Sequence, residues 1–311
     1  MANFASILDA SARKSILVTG CDMYSGYQIV VEALKRKGTG FGRVYATFFE
    51  ENHLVEHLQK LGAECIKLAI ADGAETIAKA YSKADVVVVV PAFSDKHWGE
   101  GGCVFVSAVA HAGVHGLALC SAIGAEHMEG LQMLAPLRKM EEAFERVKGK
   151  VKAASLVRCS LHIDMLWLFR RQIASEHAIC LSASPSAKFA PAAGADCARG
   201  LCNMIVDPRF EPRTYVLTGP ETVDFEAVAR CAAGAIDESI HYKQVDRKEM
   251  AMYLEKQGEM CTNAIAVVGD TLAAVSKGLL DKQCRDLAEL LGKQPMSVGA
   301  YLEKNASDFK P

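Results

Sequence analysis

The stretch SILVTGCDMYSGYQIVVEAL, residues 15–34, decides the fold of this chain. It combines a short apolar strand, a turn that carries Gly20 and Gly26, and an amphipathic helix. In such a unit the glycines let backbone N–H groups approach the phosphates of a dinucleotide, and the N-terminus of the helix favours an anion. The stretch therefore predicts the first strand, turn and helix of a Rossmann-type sheet.

Two residues of this turn depart from a phosphate-binding loop. Met23 stands where a middle glycine is expected, and Asp22 places a carboxylate beside the expected anion. At the effective dielectric of a protein surface that carboxylate costs about 1 kcal/mol or more, and the methionine side chain obstructs the phosphate. Together they are expected to weaken dinucleotide affinity by about one to three orders of magnitude. Alternatively, Asp22 points outwards as a helix cap, and only the obstruction by Met23 remains.

Apolar strands and helical patterns alternate as far as residue 158. Predicted strands cover residues 15–19, 43–49, 64–69, 85–90, 115–120 and 153–158, and predicted helices cover residues 26–37, 52–61, 74–81, 102–111 and 136–147. This alternation is typical of a parallel sheet with helices on both faces, and the consecutive valines at 86–90 suit a central strand. Residues 1–158 are therefore predicted to form a Rossmann-type, doubly wound α/β domain.

The pattern changes after residue 158. A long helix-like stretch over residues 161–175 leads into a Pro-, Ala- and Gly-rich segment and another helix. A strand at residues 214–219 then precedes a helix for which Asp224 is the predicted N-cap. Residues 159–311 are predicted to form a smaller, mainly helical lobe, with some segments returning to the sheet. We expect this lobe to pack over the carboxyl edge of the sheet and to form a ligand cleft there.

Composition limits the class of protein. With a formal net charge of −2 and dispersed Lys and Arg residues, the chain shows no basic pattern for direct nucleic-acid binding. The longest apolar run, residues 86–93, is too short to cross a membrane, and residues 1–15 lack the pattern of a secretory signal. The eleven cysteines include no Cys-x-x-Cys pair and are expected to be reduced core residues. These features predict a soluble, cytoplasmic protein.

Six segments, in order along nearly the whole chain, resemble one known family. They are VTGCDMYSG (residues 18–26), LGAECIKLAIAD (61–72), DVVVVVPAFSD (85–95), AHAGVHGLALCSAIGAE (110–126), SLVRCSLHIDMLW (155–167) and YVLTGPETVDFEAVA (215–229). The chain resembles the NmrA-like proteins, atypical members of the short-chain dehydrogenase/reductase superfamily, and the last segment is the most specific match. The resemblance implies a Rossmann-type domain with a small lobe, and either NAD(P)H-dependent reduction or NAD(P) sensing through protein partners.

The resemblance also implies where a cofactor would bind. The candidate cofactor-binding residues are Gly20, Asp22, Met23, Gly26, Phe49 and Pro91. Where an Arg often meets the 2′-phosphate of NADP, or an Asp meets the ribose of NAD, this chain has Phe48, Phe49 and Glu50. Binding of NADP or NAD is therefore expected to be weakened, with the absence of any cofactor as the alternative.

Typical members of the superfamily donate a proton from a Tyr that is followed four residues later by Lys, and no Tyr of this chain is followed in that way. Two catalytic candidates remain. Ser121, at the end of the fifth strand, either hydrogen-bonds a substrate carbonyl or merely caps the following turn. His162, just after the sixth strand, either donates a proton or is an ordinary polar residue at a helix start. Leu137 occupies the place of a lysine that some NmrA-like reductases keep, unless a one-residue shift brings Arg138 or Lys139 there.

No metal site is expected from the sequence. The candidate ligands are His53, His57, His111, His115, Cys197 and Cys202. The first two lie on a solvated helix flank among carboxylates, and the next two span a helix end and a glycine. The two cysteines have no partners in the sequence, so core packing is the expectation for them.

Two functions from different classes follow. The favoured hypothesis is a non-catalytic or weakly binding NmrA-like protein that acts as a sensor, a regulatory partner or a self-assembling structural protein. The alternative is an NAD(P)H-dependent reductase of a small carbonyl or quinone-like substrate, with His162 as the proton donor. The missing Tyr and Lys pair, the altered loop and the missing cation favour the first. The expected partner is another copy of this chain or a regulatory protein, and neither nucleic acid nor a membrane.

Overall fold

The computed structural model describes residues 14–310, apart from the side chains of residues 99 and 100. The strands are β1 (Lys14–Val18), β2 (Phe41–Phe48), β3 (Glu64–Lys67), β4 (Val86–Val89), β5 (Gly116–Ala122), β6 (Ala153–Cys159), β7 (Ala178–Leu181), β8 (Thr214–Leu217) and β9 (His241–Gln244). The helices are α1 (Tyr24–Lys35), α2 (His53–Lys60), α3 (Gly73–Tyr81), α4 (Trp98–Gly101), α5 (Cys103–Ser107), α6 (Val109–Ala112), α7 (Pro136–Val147), α8 (Arg170–Glu176), α9 (Gly194–Val206), α10 (Phe225–Ile236), α11 (Arg247–Gln257), α12 (Thr262–Ser276), α13 (Asp286–Leu291) and α14 (Val298–Lys304). Nearly all the residues that bear on a secretory signal lie outside the described range. Among the helices within that range, none has the length and apolar character needed to cross a membrane.

Seven strands form one sheet in the order β3-β2-β1-β4-β5-β6-β8. The pairs β2–β3, β1–β2, β1–β4 and β4–β5 are all parallel. The order reverses between β1 and β4, so the carboxyl ends of these two strands lie side by side, which is where open α/β sheets bind ligands. The predicted Rossmann-type sheet is confirmed.

The centre of the sheet is apolar at every position. All four valines of β4 are buried, and Val87 lies opposite Leu17 of β1 on one side and Leu117 of β5 on the other. Burying one such side chain stabilises a fold by about 1.5–3 kcal/mol relative to leaving it exposed. The valine run therefore belongs at the centre of the sheet, as its sequence predicts.

Two predicted helices are only partly right. Residues 102–111 form the short helices α5 and α6 instead of one helix, because the β-branched Val104, Val106 and Val109 weaken a continuous helix here. Residues 161–175 begin as a 3₁₀ helix over Ile163–Phe169 and become α-helical only in α8. The 3₁₀ turn buries Ile163, Leu166 and Phe169, which are three residues apart and so lie on one face of a helix with three residues per turn.

The chain divides into two compact units, and each unit is built from three segments that are separate in the sequence. Unit 1 comprises residues 14–125, Ala135–Arg158 and Ala198–Tyr215. Unit 2 comprises Glu126–Leu134, Cys159–Cys197 and residues 216–310. Each unit is therefore assembled from segments that the other unit interrupts.

Unit 2 is mostly helical and also contains a two-stranded parallel sheet of β7 and β9. Sequence analysis missed this sheet because β9, HYKQ, has no buried residue and no apolar alternation. The predicted cap of α10 is confirmed, since Oδ1 of Asp224 accepts a hydrogen bond from the Ala227 N–H at 2.7 Å.

A buried carboxylate fixes the short segment Glu126–Leu134 within unit 2. Asp270 of α12 is 2% exposed; its Oδ2 accepts from the Met133 N–H at 2.7 Å, and its Oδ1 pairs with Nη1 of Arg247 at 2.7 Å. A buried charge needs such partners, because unpaired burial is costly. Asp270 thereby joins three separate parts of the unit: the short segment, α11 and α12.

A buried lysine makes the stability of unit 1 depend on pH. Lys14 is 7% exposed and its Nζ donates to the Ile205 carbonyl at 2.9 Å. Burial lowers the pKa of Lys14 from 10.5 to about 8, although the negative charge of Asp85 opposes the shift. Between these two values the unfolded chain binds more protons than the folded chain, so this contribution to the free energy of unfolding rises with pH and is lost as pH falls through about 8.

We expect wild type to gain stability relative to Lys14→Met as pH rises through the window from about 8 to 10.5, because only wild type carries the shifted amine. Urea unfolding of both proteins across that window measures the difference. Lys35→Met is the control, since it removes a lysine whose side chain is 63% exposed. A difference that stays constant or shrinks with pH would contradict the prediction.

Candidate functional site

The turn after β1 requires glycine at two positions. Gly20 has φ +63°, and a β-carbon there would lie 3.1 Å from the Pro91 carbonyl oxygen and 3.2 Å from that of Val90. A β-carbon on Gly26 would overlap the carbonyl oxygen of Gly20. The first glycine therefore lets the turn adopt a left-handed conformation against the end of β4, and the second lets α1 pack directly on the turn.

Met23 does not distort this turn. Its backbone is extended, with φ −112° and ψ 151°, which any residue adopts, and its N–H donates to the Gly20 carbonyl at 3.2 Å. Met23 is the N-cap of α1 but its side chain makes no capping hydrogen bond. Met23 therefore differs from the expected glycine only by its half-buried side chain, because the backbone at this position does not require glycine.

Asp22 is buried, with 4% of its surface exposed. Its Oδ2 accepts hydrogen bonds from the Ser94 hydroxyl at 2.5 Å, the Glu50 N–H at 3.1 Å and the Phe49 N–H at 3.3 Å. The suggestion that Asp22 points outwards as a cap is therefore wrong, because α1 begins at Tyr24 and the carboxylate joins the loops that follow β2 and β4. Sequence analysis could not find this role because Ser94 lies 72 positions away.

The second carboxylate oxygen of Asp22 has a different environment. Oδ1 is shielded from solvent and has no hydrogen-bond partner among the described residues. The loop after β2 contributes backbone N–H groups to Asp22, while Phe49 itself is half-buried and Glu50 is exposed. The turn thus combines the backbone of a phosphate-binding loop with a carboxylate that a phosphate would have to approach.

Ser121 lies at the end of β5 in a closed hydrogen-bonded cluster. Its hydroxyl donates to Oε1 of Glu141 at 2.6 Å. Arg158, near the end of β6, donates to the same carboxylate twice, from Nε to Oε1 at 3.0 Å and from Nη2 to Oε2 at 2.5 Å. Sequence analysis did not select Glu141. The only signal for it is its position in α7, four residues after Leu137, which places the two side chains on the same face of the helix.

Helix α7 also contains Leu137, Arg138 and Lys139, the residues at or next to the place of the lysine that some NmrA-like reductases keep. Leu137 is 1% exposed and belongs to the core. Arg138 and Lys139 are exposed, and Arg138 pairs with Glu142 at 3.2 Å on the surface of the same helix. A one-residue shift therefore does not bring a cation beside Ser121.

In unit 2, His162 lies beside two cysteines. Ligand atoms of Cys159, His162 and Cys197 lie within 4.8 Å of one another. The expectation that Cys197 has no partners is wrong, because residues 161–163 pair with Ala192 and so bring the start of α9 to the end of β6. The Cys-x-x-His spacing of Cys159 and His162 is the sequence signal that could have indicated this group.

The three side chains shift one another's pKa values. A hydrogen bond from Cys197, and then the hydrogen bond and charge of His162, lower the pKa of Cys159 to about 5 against the effect of burial. Burial would lower the pKa of His162, but the hydrogen bond and charge of Cys159, together with Asp164, raise it. The hydrogen bond to Cys159, followed by burial, holds the pKa of Cys197 well above its usual value. The shifts of Cys159 and His162 thus favour the charged form of each group, and that of Cys197 favours its neutral thiol.

The predicted site residues therefore fall into separate groups. Gly20, Asp22, Met23 and Gly26 meet the loops that hold Phe49 and Pro91, and Ser121 belongs to its own cluster in the same unit. His162 belongs to unit 2. An open depression of unit 2, lined by Gly219, Pro220 and residues between 283 and 295, contains none of these residues.

No protein-family model matches the chain. Among curated proteins, agroclavine dehydrogenase of Claviceps fusiformis is 24% identical over 124 residues, which is 40% of this chain and 43% of that protein. The match thus spans less than half the length of this relative.

Solved structures match over nearly the whole chain. An NADPH-dependent quinone oxidoreductase from Escherichia coli, complexed with NADPH, has a TM-score of 0.74 at 16% identity, covering 93% of this chain and 99% of that one. A triphenylmethane reductase from Citrobacter, complexed with NADP(H), has a TM-score of 0.73 at 18% identity, covering 94% and 99%. A glycine-substituted NmrA has a TM-score of 0.70 at 12% identity, covering 96% and 97%. The chain has the NmrA-like fold that its sequence resembles.

Proposed function

We propose that this chain, with its NmrA-like fold, is a non-catalytic regulatory or sensor protein whose dinucleotide site is weakened and favours NADH over NADPH. One observation carries the non-catalytic part. The Ser121 hydroxyl, at the end of β5, donates a hydrogen bond to Glu141, and the Arg158 guanidinium holds that carboxylate in place.

Reduction of a carbonyl by a hydride needs a proton donor within hydrogen-bond reach of the carbonyl oxygen. In this cluster Glu141 is the common acceptor for Ser121 and Arg158, so the hydroxyl is oriented towards protein. Leu137 supplies no cation on that helix. The cluster therefore supports a structural role for side chains in the region where the superfamily resemblance implies catalysis.

The cofactor preference rests on Asp22. Gly20 and Gly26 retain the backbone of a dinucleotide loop, which supports binding. The Asp22 carboxylate is fixed beside the ends of β2 and β4, and its Oδ1 has no partner among the described residues. The negative charge of Asp22 repels a 2′-phosphate beside these strand ends, whereas it does not repel the neutral ribose hydroxyl of NADH. NADH is thus the better ligand for this loop.

Titration of the purified chain with NADH and NADPH tests the proposal. We expect NADH to bind about tenfold or more tightly than NADPH, since about 1.4 kcal/mol of repulsion suffices for that ratio. Neither cofactor should be oxidised faster than in buffer when aldehydes and quinones are added. Equal or preferential binding of NADPH would contradict the role of Asp22, and turnover would contradict the non-catalytic assignment.

An NAD(P)H-dependent reductase is the second candidate. The quinone oxidoreductase and the triphenylmethane reductase with this fold support it, and so does His162, whose pKa is raised by the hydrogen bond and charge of Cys159 and by Asp164, because a raised pKa favours the protonated ring that a donor needs. Cofactor oxidation that disappears in His162→Ala would establish this candidate.

A sensor needs a partner, and we propose a second copy of this chain or a regulatory protein. The mass of the chain in solution, measured with and without NADH, tests self-association. A monomer at every concentration would leave only the regulatory protein.

A further inference from the structure

We propose that Cys159, His162 and Cys197 bind a structural Zn²⁺ ion in unit 2. Two thiols and one imidazole are ligand types that zinc prefers, and their ligand atoms lie within 4.8 Å of one another. With Zn–S bonds of about 2.3 Å and Zn–N bonds of about 2.0 Å, a tetrahedral site places two sulfur ligands about 3.8 Å apart and a sulfur and a nitrogen ligand about 3.5 Å apart. Any two of the three side chains therefore need to approach by at most about 1.3 Å to hold the ion.

The backbone fixes these ligands from two separate segments. Cys159 ends β6 and His162 immediately precedes the 3₁₀ helix, whereas Cys197 lies in the first turn of α9. The Ile163 N–H donates to the Ala192 carbonyl at 3.0 Å, and the Ala192 N–H donates to the Leu161 carbonyl at 3.1 Å. These bonds hold the two segments together before any ion binds, so the loss of conformational entropy on binding is small.

A further hydrogen bond joins the two segments beside the His162 imidazole. Oδ2 of Asp164 accepts from the Gly194 N–H at 2.6 Å, which joins the 3₁₀ helix to the start of α9. A β-carbon on Gly194 would lie 3.3 Å from both Nδ1 of His162 and Oδ2 of Asp164. The glycine thus leaves room for the imidazole and the carboxylate to stand close together against α9.

His162 carries an independent sign of a missing ligand. Its Nε2 is shielded from solvent and has no hydrogen-bond partner among the described residues. A buried polar atom without a partner is costly. Coordination by Nε2 would give that atom a partner, and coordination by Nδ1 would fix the tautomer of the ring. The neighbouring void, lined by His162 and seven apolar side chains, measures about 10 Å³. Cys159 and Cys197 do not line this void, which can hold at most one water molecule and is too small for an organic ligand beside His162.

Charge balance also suits zinc. Two thiolates and a neutral imidazole cancel the charge of Zn²⁺, so the half-buried group gains a neutral centre. Structural zinc sites usually have four protein ligands, so in this three-ligand site a water molecule would take the fourth position. The ion would connect the end of β6 to the start of α9 and so stabilise unit 2 without taking part in hydride transfer.

Metal analysis of the reduced chain, purified without chelator, tests the site. We expect one zinc per chain, competition with a chromophoric chelator, and a fall in the unfolding temperature when the zinc is removed. Cys159→Ser, His162→Ala and Cys197→Ser should each weaken zinc binding by more than about 100-fold, beyond the loss that follows removal of an outer-shell partner. Cys202→Ser is the matched control, because Cys202 is buried in the same helix but lies outside the cluster, and it should bind zinc normally.

Cobalt substitution of the unmodified chain keeps the proposal testable if a variant fails to fold. Co²⁺ in this site should give the visible bands of a tetrahedral ion together with thiolate charge-transfer absorption, and Zn²⁺ should displace it. A chain that neither contains nor binds zinc, or whose zinc binding survives all three ligand substitutions, overturns the proposal. A Cys159–Cys197 disulfide that forms in air in place of metal binding would also overturn it and assign the pair to thiol redox chemistry.

Discussion

NADPH will bind the variant Asp22→Thr with Met23→Gly about ten- to a thousandfold more tightly than it binds the unmodified chain. The threonine removes the carboxylate that repels the phosphates, and the glycine removes the side chain that obstructs them. The backbone needs no rearrangement, because Met23 already has an extended conformation and Gly20 already has its positive φ. Calorimetric or fluorescence titration of both proteins measures the ratio.

Two comparisons isolate the cause. Asp22→Thr alone should improve NADPH binding more than NADH binding, whereas Met23→Gly alone should improve both alike. Glu51→Thr is the control for a general charge effect, because it removes an exposed carboxylate from the loop after β2. Unfolding must be measured beside binding, since Asp22 also accepts hydrogen bonds from Ser94, Phe49 and Glu50. An unchanged NADPH affinity in a folded double variant would show that these two residues do not limit the site.

Glu141→Ala will lower the free energy of unfolding by about 2–4 kcal/mol, slightly less than the ~3–5 kcal/mol that follows removal of one partner of a fully buried ion pair. The substitution deprives the Arg158 guanidinium of this carboxylate and leaves the Ser121 hydroxyl without its acceptor. The Glu141 and Arg158 side chains are only 12% and 22% exposed, so water compensates little. Urea unfolding, monitored by circular dichroism, measures the loss.

Glu142→Ala is the matched control for this prediction. Glu142 is the next residue of α7 and pairs with Arg138, but both side chains are more than half exposed. Its loss should change the free energy of unfolding by no more than about 0.5 kcal/mol. Glu141→Gln, which keeps the shape and one acceptor oxygen, should fall between the two alanine variants. Equal effects of Glu141→Ala and Glu142→Ala would mean that the cluster does not stabilise unit 1.

The fold was predictable because its signals are local. The valine run of β4, the two glycines of the first turn and the N-cap at Asp224 each act through neighbouring residues. The β-strand over HYKQ was not predictable, since its pairing with β7 depends on backbone hydrogen bonds that any sequence can make. The 3₁₀ helix over Ile163–Phe169 was not predictable, because apolar residues three positions apart lie on one face of a 3₁₀ helix and also fit an α-helical pattern.

The candidate site was only partly predictable, for a related reason. Sequence analysis selected Asp22, Ser121 and His162, but each has a partner from a distant part of the chain, which for His162 is Cys197. Ser94 lies 72 positions from Asp22, and Glu141 lies 20 positions from Ser121. The orientation of these side chains therefore depends on tertiary packing, which a local pattern does not encode.

The interleaving of the two units has a consequence for synthesis on the ribosome. Unit 1 includes Ala198–Tyr215, and these residues follow the whole of Cys159–Cys197, which belongs to unit 2. An N-terminal domain commonly folds as it leaves the ribosome, before later segments exist. Unit 1 cannot be completed in that way, because its last segment emerges only after the first two segments of unit 2, Glu126–Leu134 and Cys159–Cys197, have been made. The nascent chain must therefore keep a partly formed sheet until residue 215 is available.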